Sequence, residues 1–265
     1  MMQVALLAPW VATRNIGDQV IGDAVVAELR ERNVLPVLEL PTHVRPERGL
    51  LRLSLKMDRI IVGGSNILSS RMQWNGNFPL TPDLLLAYRH KVTLMGVGWD
   101  RYSESPGRLS VKYLRALLDP KAIHSTRDQY TADRLNRMGY EAVNTGCPTT
   151  WKLDATKIRR RPNLSRAIIT VSDYAPNVRR DQAWISRVES YFPDLCFQPM
   201  SALDNWYLLR GVGCSGDQIM TARLRSYDAV LAKGDAVVVG TRLHGGIRAL
   251  QMGGLSHFCG CVSGS

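Results

Sequence analysis

Ala236-Val237-Val238-Val239-Gly240-Thr241-Arg242-Leu243-His244-Gly245-Gly246 is the stretch on which the fold turns. Its first four residues are an unbroken apolar run, as a strand buried on both faces requires. Leu243, Ile247 and Leu250 follow at helical spacing. The unit reads as buried strand, tight turn, helix. Arg242 and His244 stand two residues apart in the turn, beside small residues that let a ligand approach the backbone. A helix N-terminus adds N–H groups and the positive end of a dipole. An arginine supplies a planar fork for carboxylate or phosphate, and a histidine carries a proton near neutral pH. The pattern describes an anion site with an acid/base group inside it.

The same unit recurs along the chain. Val4–Leu7 reads as a first strand, followed by a polar loop and a helix from about Asp18 to Arg32. Further strands are expected at Leu35–Leu38, Asp58–Val62, Lys91–Met95, Ala122–Ser125 and near Val143, with a helix from Gln129 to Met138 that stops at Gly139. Short apolar strands alternating with helices define an α/β protein with parallel sheets. The polar, basic stretch 154–166, with Arg159-Arg160-Arg161-Pro162, reads as a linker between a first domain, 1–153, and a second, 167–265. The second holds strands at Ala167–Val171, Cys196–Gln198 and Ala236, and a helix marked by Met220, Leu224, Tyr227 and Leu231. Loops after the strands would line one edge of each sheet, where such folds bind ligands.

The chain has 265 residues, 45% of them hydrophobic and 22% charged, which suits a globular protein with a real core. Lysine and arginine exceed aspartate and glutamate by 34 to 23, so an acidic ligand or an anionic membrane surface suits the charge. Nucleic acid is not expected: there is no zinc-ligand spacing, no RNA-binding aromatic signature and no long basic block. Five scattered cysteines, Cys147, Cys196, Cys214, Cys259 and Cys261, suggest neither a disulfide framework nor a metal site and read as reduced thiols in a cytoplasmic protein. No run approaches the length of a membrane span, and the N-terminus reads as a core strand rather than a signal peptide.

Other polar turns carry two readings each. Asn15-Ile16-Gly17-Asp18 opens a helix: either its N–H groups and Asp18 meet a substrate, or Asp18 caps the helix. Gly63-Gly64-Ser65-Asn66 either admits a ligand or is ordinary turn geometry. It lacks the G-x-G-x-x-G spacing, as does Gly96-Val97-Gly98, and no Walker A sequence occurs, which disfavours nicotinamide or nucleoside triphosphate cofactors. Arg127-Asp128, between strand and helix, offers either a second arginine for a small dianion or a surface ion pair. His124 reads as structural, and most of the tryptophans (Trp74, Trp99, Trp151, Trp184, Trp206) as core packing rather than sugar-stacking platforms.

Together the stretches NIGDQVIGDAV (15–25), IIVGGSNIL (60–68), LMGVGWD (94–100), STRDQYTADRLNRMGY (125–140), NTGCPTTW (144–151) and VVVGTRLHGGIRALQMGG (237–254) resemble the polysaccharide pyruvyl transferase family, in its order and over nearly the whole chain. The resemblance implies a glycosyltransferase-B-like architecture of two Rossmann-like halves with a cleft between them. It implies transfer of the enolpyruvyl group of phosphoenolpyruvate to a sugar of a cell-surface polysaccharide precursor, giving a pyruvate ketal on two hydroxyls and free phosphate. Phosphoenolpyruvate is then the donor substrate, with no separate cofactor and no metal. The expected acceptor is a saccharide, and a lipid-linked one at the inner membrane face would suit the basic charge of the chain. On this basis His244 is the expected general acid, or a phosphate ligand in its protonated form, and Asp18 the base or sugar contact, with Arg242, Arg127, Asn15, Gly17, Gly64, Ser65 and Gly245 as substrate-binding residues. Backbone N–H groups near Gly64 or Gly245 are expected to stabilise developing charge. The second half is short for a full Rossmann unit. This leaves open an inactive or sugar-binding short relative, and the implied fold would also suit a nucleotide-sugar-dependent glycosyltransferase.

Overall fold

The computed structural model describes residues 2–74, 78–102, 105–158 and 164–259. Arg159-Arg160-Arg161-Pro162 of the expected linker, and Cys261, lie outside the described residues. The chain divides into two units. One comprises Met1–Thr13 and Ile21–Trp151, the other Arg14–Val20 and Lys152–Ser265.

The first unit contains β1 (Val4–Ala8), most of α1 (Ile16–Glu31), β2 (Leu38–Pro41), α2 (Arg48–Leu55), β3 (Arg59–Gly63), β4 (Asn66–Leu68), α3 (Pro82–Ala87), β5 (Val92–Met95), β6 (Gly98–Trp99), α4 (Arg108–Leu117), β7 (Ile123–Thr126), α5 (Gln129–Arg137) and β8 (Glu141–Asn144). Its main sheet is parallel, in the order β2-β1-β3-β5. The parallel pair β7–β8 adjoins it through the Gly96 N–H, which donates to the Ser125 carbonyl at 3.0 Å, and the Arg127 N–H, which donates to the Val97 carbonyl at 3.0 Å. Every residue of β1 is buried, because the sheet is covered on both faces. Alternation assigns the sides: Leu6 and Ala8 pack with Ile21, Val25 and Leu29 of α1, while Ala5 and Leu7 pack with Leu51, Leu84 and Leu114 of α2, α3 and α4.

The second expected strand lies three residues later than the apolar run suggested. Leu35 and Val37 are exposed, and β2 begins at Leu38, which pairs with Ala5. Pro36 lacks the donor a ladder needs, so the edge strand starts beyond it.

The second unit contains β9 (Arg166–Thr170), α6 (Val178–Glu189), β10 (Asp194–Phe197), α7 (Ala202–Tyr207), α8 (Leu224–Leu231), β11 (Ala236–Gly240), α9 (Leu243–Gln251) and β12 (Leu255–Phe258). Its sheet is again parallel, in the order β10-β9-β11-β12. Ala167, Ile169 and Val171 face a cluster with Ile185, Tyr207 and Leu208, while Ile168 faces Tyr227, Leu231 and Ala249. The sheet is thus doubly wound like the first. Met220 precedes α8 rather than starting it, and Leu243 is exposed: the buried face of α9 is Gly245, Gly246, Ile247 and Ala249. Its two glycines let the helix lie close to the sheet. A Cβ on Gly246 would fall 2.3 Å from the Phe258 ring and 2.4 Å from the Ser256 hydroxyl of β12.

Candidate functional site

The carboxyl ends of β9, β10 and β11 carry the polar side chains of the second unit. Beyond β9 come Asp173 and Tyr174, beyond β10 come Met200 and Ser201 with Asp204 in α7, and beyond β11 comes Arg242. Arg242 is 7% exposed and ties the three strand ends together. Its Nη2 donates to Asp173 Oδ1 at 2.6 Å, to Asp204 Oδ1, and to Ser201 Oγ at 3.2 Å. The Tyr174 ring lies over the guanidinium, 4.2 Å from ring centre to Cζ. Asp204 is fully buried and also accepts the backbone N–H groups of Asp173 and Met200, both at 3.0 Å.

Two carboxylates beside one guanidinium decide the electrostatics. Burial, reinforced by Asp204, pushes the Asp173 carboxyl above its ordinary value, and Arg242 offsets this only in part. Burial opposes the charge of Arg242, but hydrogen bonding to Asp204 and its negative charge outweigh that, so the guanidinium stays protonated. Asp173, Asp204 and Tyr174 had no motif to mark them in the sequence, and they change how Arg242 reads. The expected open fork for an anion is an arginine whose charge two carboxylates already balance.

The Arg14–Val20 stretch, from the far end of the sequence, belongs to this same unit. The Ile16 N–H donates to the Met200 carbonyl at 2.7 Å, and Ile16 is buried. Asn15 Oδ1 accepts from the Gly17 N–H at 2.9 Å as α1 begins. Asp18 is therefore inside the first turn rather than ahead of it, half-buried, and the capping oxygen comes from Asn15. Gly17 lies directly against His244: a Cβ there would stand 3.4 Å from both Cβ and Nδ1 of the histidine. The first turns of α1 and α9 thus meet with His244, half-buried, between them. Each turn presents the positive end of a helix dipole. Asn15, Gly17, Asp18, Arg242, His244 and Gly245 are brought together, although the first three are more than 220 residues from the others in sequence.

The N–H groups of Gly245 and Gly64 themselves are taken up inside the fold. The Gly245 N–H donates to the Arg242 carbonyl at 3.0 Å, closing the first turn of α9, and the Gly64 N–H donates to the Met95 carbonyl at 2.8 Å. Gly64 is glycine for a conformational reason: its φ is +65°, and a Cβ would strike Ile21 Cγ2 at 2.2 Å. Ser65 follows, also left-handed at φ +63°, and its carbonyl accepts from the Gly98 N–H.

In the first unit Arg127 is half-buried and donates from Nη1 to Asn66 Oδ1 at 3.0 Å. Gly98 leaves room for this pair, since a Cβ there would fall 2.2 Å from Asn66 Oδ1 and 2.3 Å from Arg127 Cδ. Asp128 does not serve as the arginine's surface partner: it caps α5, accepting the Thr131 N–H at 2.8 Å. His124 is fully buried between the Leu94 N–H and the Asp119 carbonyl, and burial lowers its pKa, which fits its structural reading. Trp99 is core, whereas Trp74 and Trp206 are largely exposed. Burial raises the thiols of Cys196 and Cys214 to about 11, and the cysteines of the described residues are unbridged. Among the described residues no helix is long and apolar enough to cross a membrane, and no three His, Cys, Asp or Glu side chains gather as a metal site.

Two parallel, doubly wound units with polar strand ends define a glycosyltransferase-B-like protein of two Rossmann-like halves. Solved structures share this fold. One is a UDP-N-acetylglucosamine 2-epimerase of Listeria monocytogenes, at 12% identity and a TM-score of 0.50, covering 97% of this chain and 78% of that one. Another UDP-N-acetylglucosamine 2-epimerase is 13% identical with a TM-score of 0.50, covering 99% of this chain and 80% of that one. At such identity the likeness concerns the fold alone. No curated protein matches the chain in sequence. The family is settled by its own sequence model: polysaccharide pyruvyl transferase matches residues 15–254, and the chain belongs to that family.

Proposed function

We propose that the chain transfers the enolpyruvyl group of phosphoenolpyruvate to a sugar of a cell-surface polysaccharide precursor, on the cytoplasmic side of the membrane, with no cofactor beyond this donor. The observation that carries the reading is His244, seated against Gly17 where the first turns of α1 and α9 meet. A compact anion is favoured there by two dipole ends, and an imidazolium adds both charge and a transferable proton. In this reading His244 protonates the methylene carbon, leaving an oxocarbenium-like centre at C2. A sugar hydroxyl adds to C2 and gives its proton to a base, for which Asp18 in the same first turn is the candidate. Phosphate then leaves, and a second hydroxyl of the sugar closes the ketal with loss of its proton. Arg242 acts as a positioning residue: it fixes the β9, β10 and β11 ends on which Met200, and through it Ile16, depend. Asn15 and Gly17 shape the first turn of α1, and Gly245 that of α9. Arg127, with Gly64 and Ser65 flanking its partner Asn66, is the proposed substrate-binding cation of the first unit.

Titration calorimetry tests the donor, and phosphate release on a pyruvate-free polysaccharide precursor tests the chemistry. Phosphoenolpyruvate is expected to bind saturably. His244→Ala is expected to remain folded and lose turnover by about 10²–10⁴-fold, the range of a general acid. Saturable binding of UDP-sugars with none of phosphoenolpyruvate would replace this reading with a glycosyltransferase. Full turnover in His244→Ala would remove the histidine as the acid.

A further inference from the structure

The chain's positive charge is concentrated. Residues 48–56, 82–91 and 108–117, which hold α2, α3 and α4 of the first unit, contain eight lysines or arginines and one acid, Asp83. They supply a surplus of seven in a chain whose net charge is +11. The three helices form one surface. α2 packs on α3 and α3 on α4. Lys91 Nζ donates to the Leu55 carbonyl at 2.8 Å, and the His90 N–H donates to the Ala116 carbonyl at 2.9 Å.

These cations are also crowded together with little acid between them. Elsewhere Arg32, Arg166, Arg180, Arg242 and Arg248 are matched to carboxylates, whereas Arg137, Arg210, Arg223 and Arg225 are exposed with no ion-pair partner among the described residues but are not gathered on one set of packed helices. On this surface Arg45 neutralises the one acid, Asp83, at 2.8 Å. Arg48, Arg52, Lys56, Arg89, Arg108, Lys112 and Arg115 are all exposed, and none has an ion-pair partner among the described residues. Helix dipoles account for Arg52 and Arg115, which lie in last turns. They do not account for Arg48 and Arg108, which open α2 and α4 at the positive end of the dipole, where a cation is disfavoured.

Leucines lie exposed among the charges: Leu53 at 45%, Leu55 at 50%, Leu86 at 64% and Leu109 at 49%. Between α3 and α4 an open cavity of about 450 Å³ is lined by Leu85, Leu86 and Ala116 together with Arg89, His90 and Arg115. A polyanion such as nucleic acid answers the charge but not the leucines. A bilayer interface answers both: acyl chains take the leucines, and long basic side chains reach the phosphates beside them.

We propose that this α2–α4 face binds an anionic phospholipid bilayer, holding the first unit flat on the membrane. The inference is independent of the donor chemistry and would stand if another sugar-modifying reaction were found. Flotation of the full chain tests it, with vesicles of phosphatidylcholine alone or with about one third phosphatidylglycerol, at about 0.15 M salt. The protein is expected to float only with the anionic vesicles. Arg52→Glu with Arg89→Glu and Arg115→Glu is expected to weaken partitioning at least about tenfold. Arg210→Glu with Arg225→Glu and Lys233→Glu makes the same charge change in the second unit and is expected to keep binding within about threefold. Leu53→Ser with Leu86→Ser is expected to weaken it several-fold without altering the salt dependence. Circular dichroism confirms that each variant folds. Absence of flotation with anionic vesicles would overturn the proposal, as would equal losses in the two charge-reversal variants. Release from vesicles by a duplex oligonucleotide, combined with indifference to the leucine changes, would make the face a nucleic-acid surface instead.

Discussion

Arg127 and Arg242 each lie in the turn between a parallel strand and the helix that follows it, one in each half. Their surroundings differ. Arg127 is half-buried and donates to one neutral partner, Asn66. Arg242 is buried among Asp173, Asp204 and Ser201, beneath Tyr174. The availability of an arginine for an anion is therefore set by what its neighbouring strands carry. Where the adjacent ends are acidic, the guanidinium joins them into a scaffold. Where they offer an amide, its charge stays uncompensated by that partner. In the proposed reading the first arginine meets the substrate, and the second holds the strand ends beside His244.

The largest expected effect breaks the scaffold. Arg242→Ala leaves two carboxylates facing each other in a buried setting and is expected to cost about 3–5 kcal/mol of stability. Chemical denaturation measures it; a loss under about 1 kcal/mol would show that the carboxylates do not depend on the arginine. The matching change in the first unit should separate stability from binding. Arg127→Ala is expected to weaken phosphoenolpyruvate binding by about tenfold or more while moving stability by no more than about 1 kcal/mol. If calorimetry found its affinity unchanged, the contrast between the two arginines would reduce to a difference in packing alone.

The smallest effect concerns proton uptake. Burial and Asp204 hold Asp173 above its ordinary 3.8 in the folded state, so the folded chain gains a proton more readily than the unfolded one. The resulting stabilisation is complete below 3.8 and fades as pH rises through the raised value. Asp173→Asn, neutral throughout, should lack this dependence, so it should gain stability relative to the parent between about pH 4 and about pH 7. Urea midpoints at the two pH values decide it; a constant difference would mean that Asp173 titrates as it does in the unfolded chain.

Local patterns were read correctly where both faces of a strand are buried. β1, β3, β5 and β11 are apolar runs and appear within a residue or so of their expected places. At the sheet edge the pattern misled: Leu35 and Val37 look like core but are exposed, because pairing with β1, not composition, sets where β2 begins. The turns at Asn15–Asp18 and Arg242–His244 were recognised one at a time. That they lie together, with Gly17 against His244, could not be read from residues 227 apart in sequence. Nothing flagged Asp173 or Asp204 either, since an isolated aspartate after a strand resembles any other loop residue.

The sequence by itself determined the repeated strand–turn–helix unit, the parallel sheets that follow from it, and the family, because hydrophobic period and turn chemistry are properties of neighbouring residues. Tertiary structure decided the rest. It placed Arg14–Val20 with the second unit, tied Arg242 to Asp173 and Asp204 across the strand ends, and gathered on α2–α4, beside exposed leucines, cations that have no ion-pair partner among the described residues. Charge and burial act through space, so a side chain's role depends on which distant residues the sheet order brings beside it.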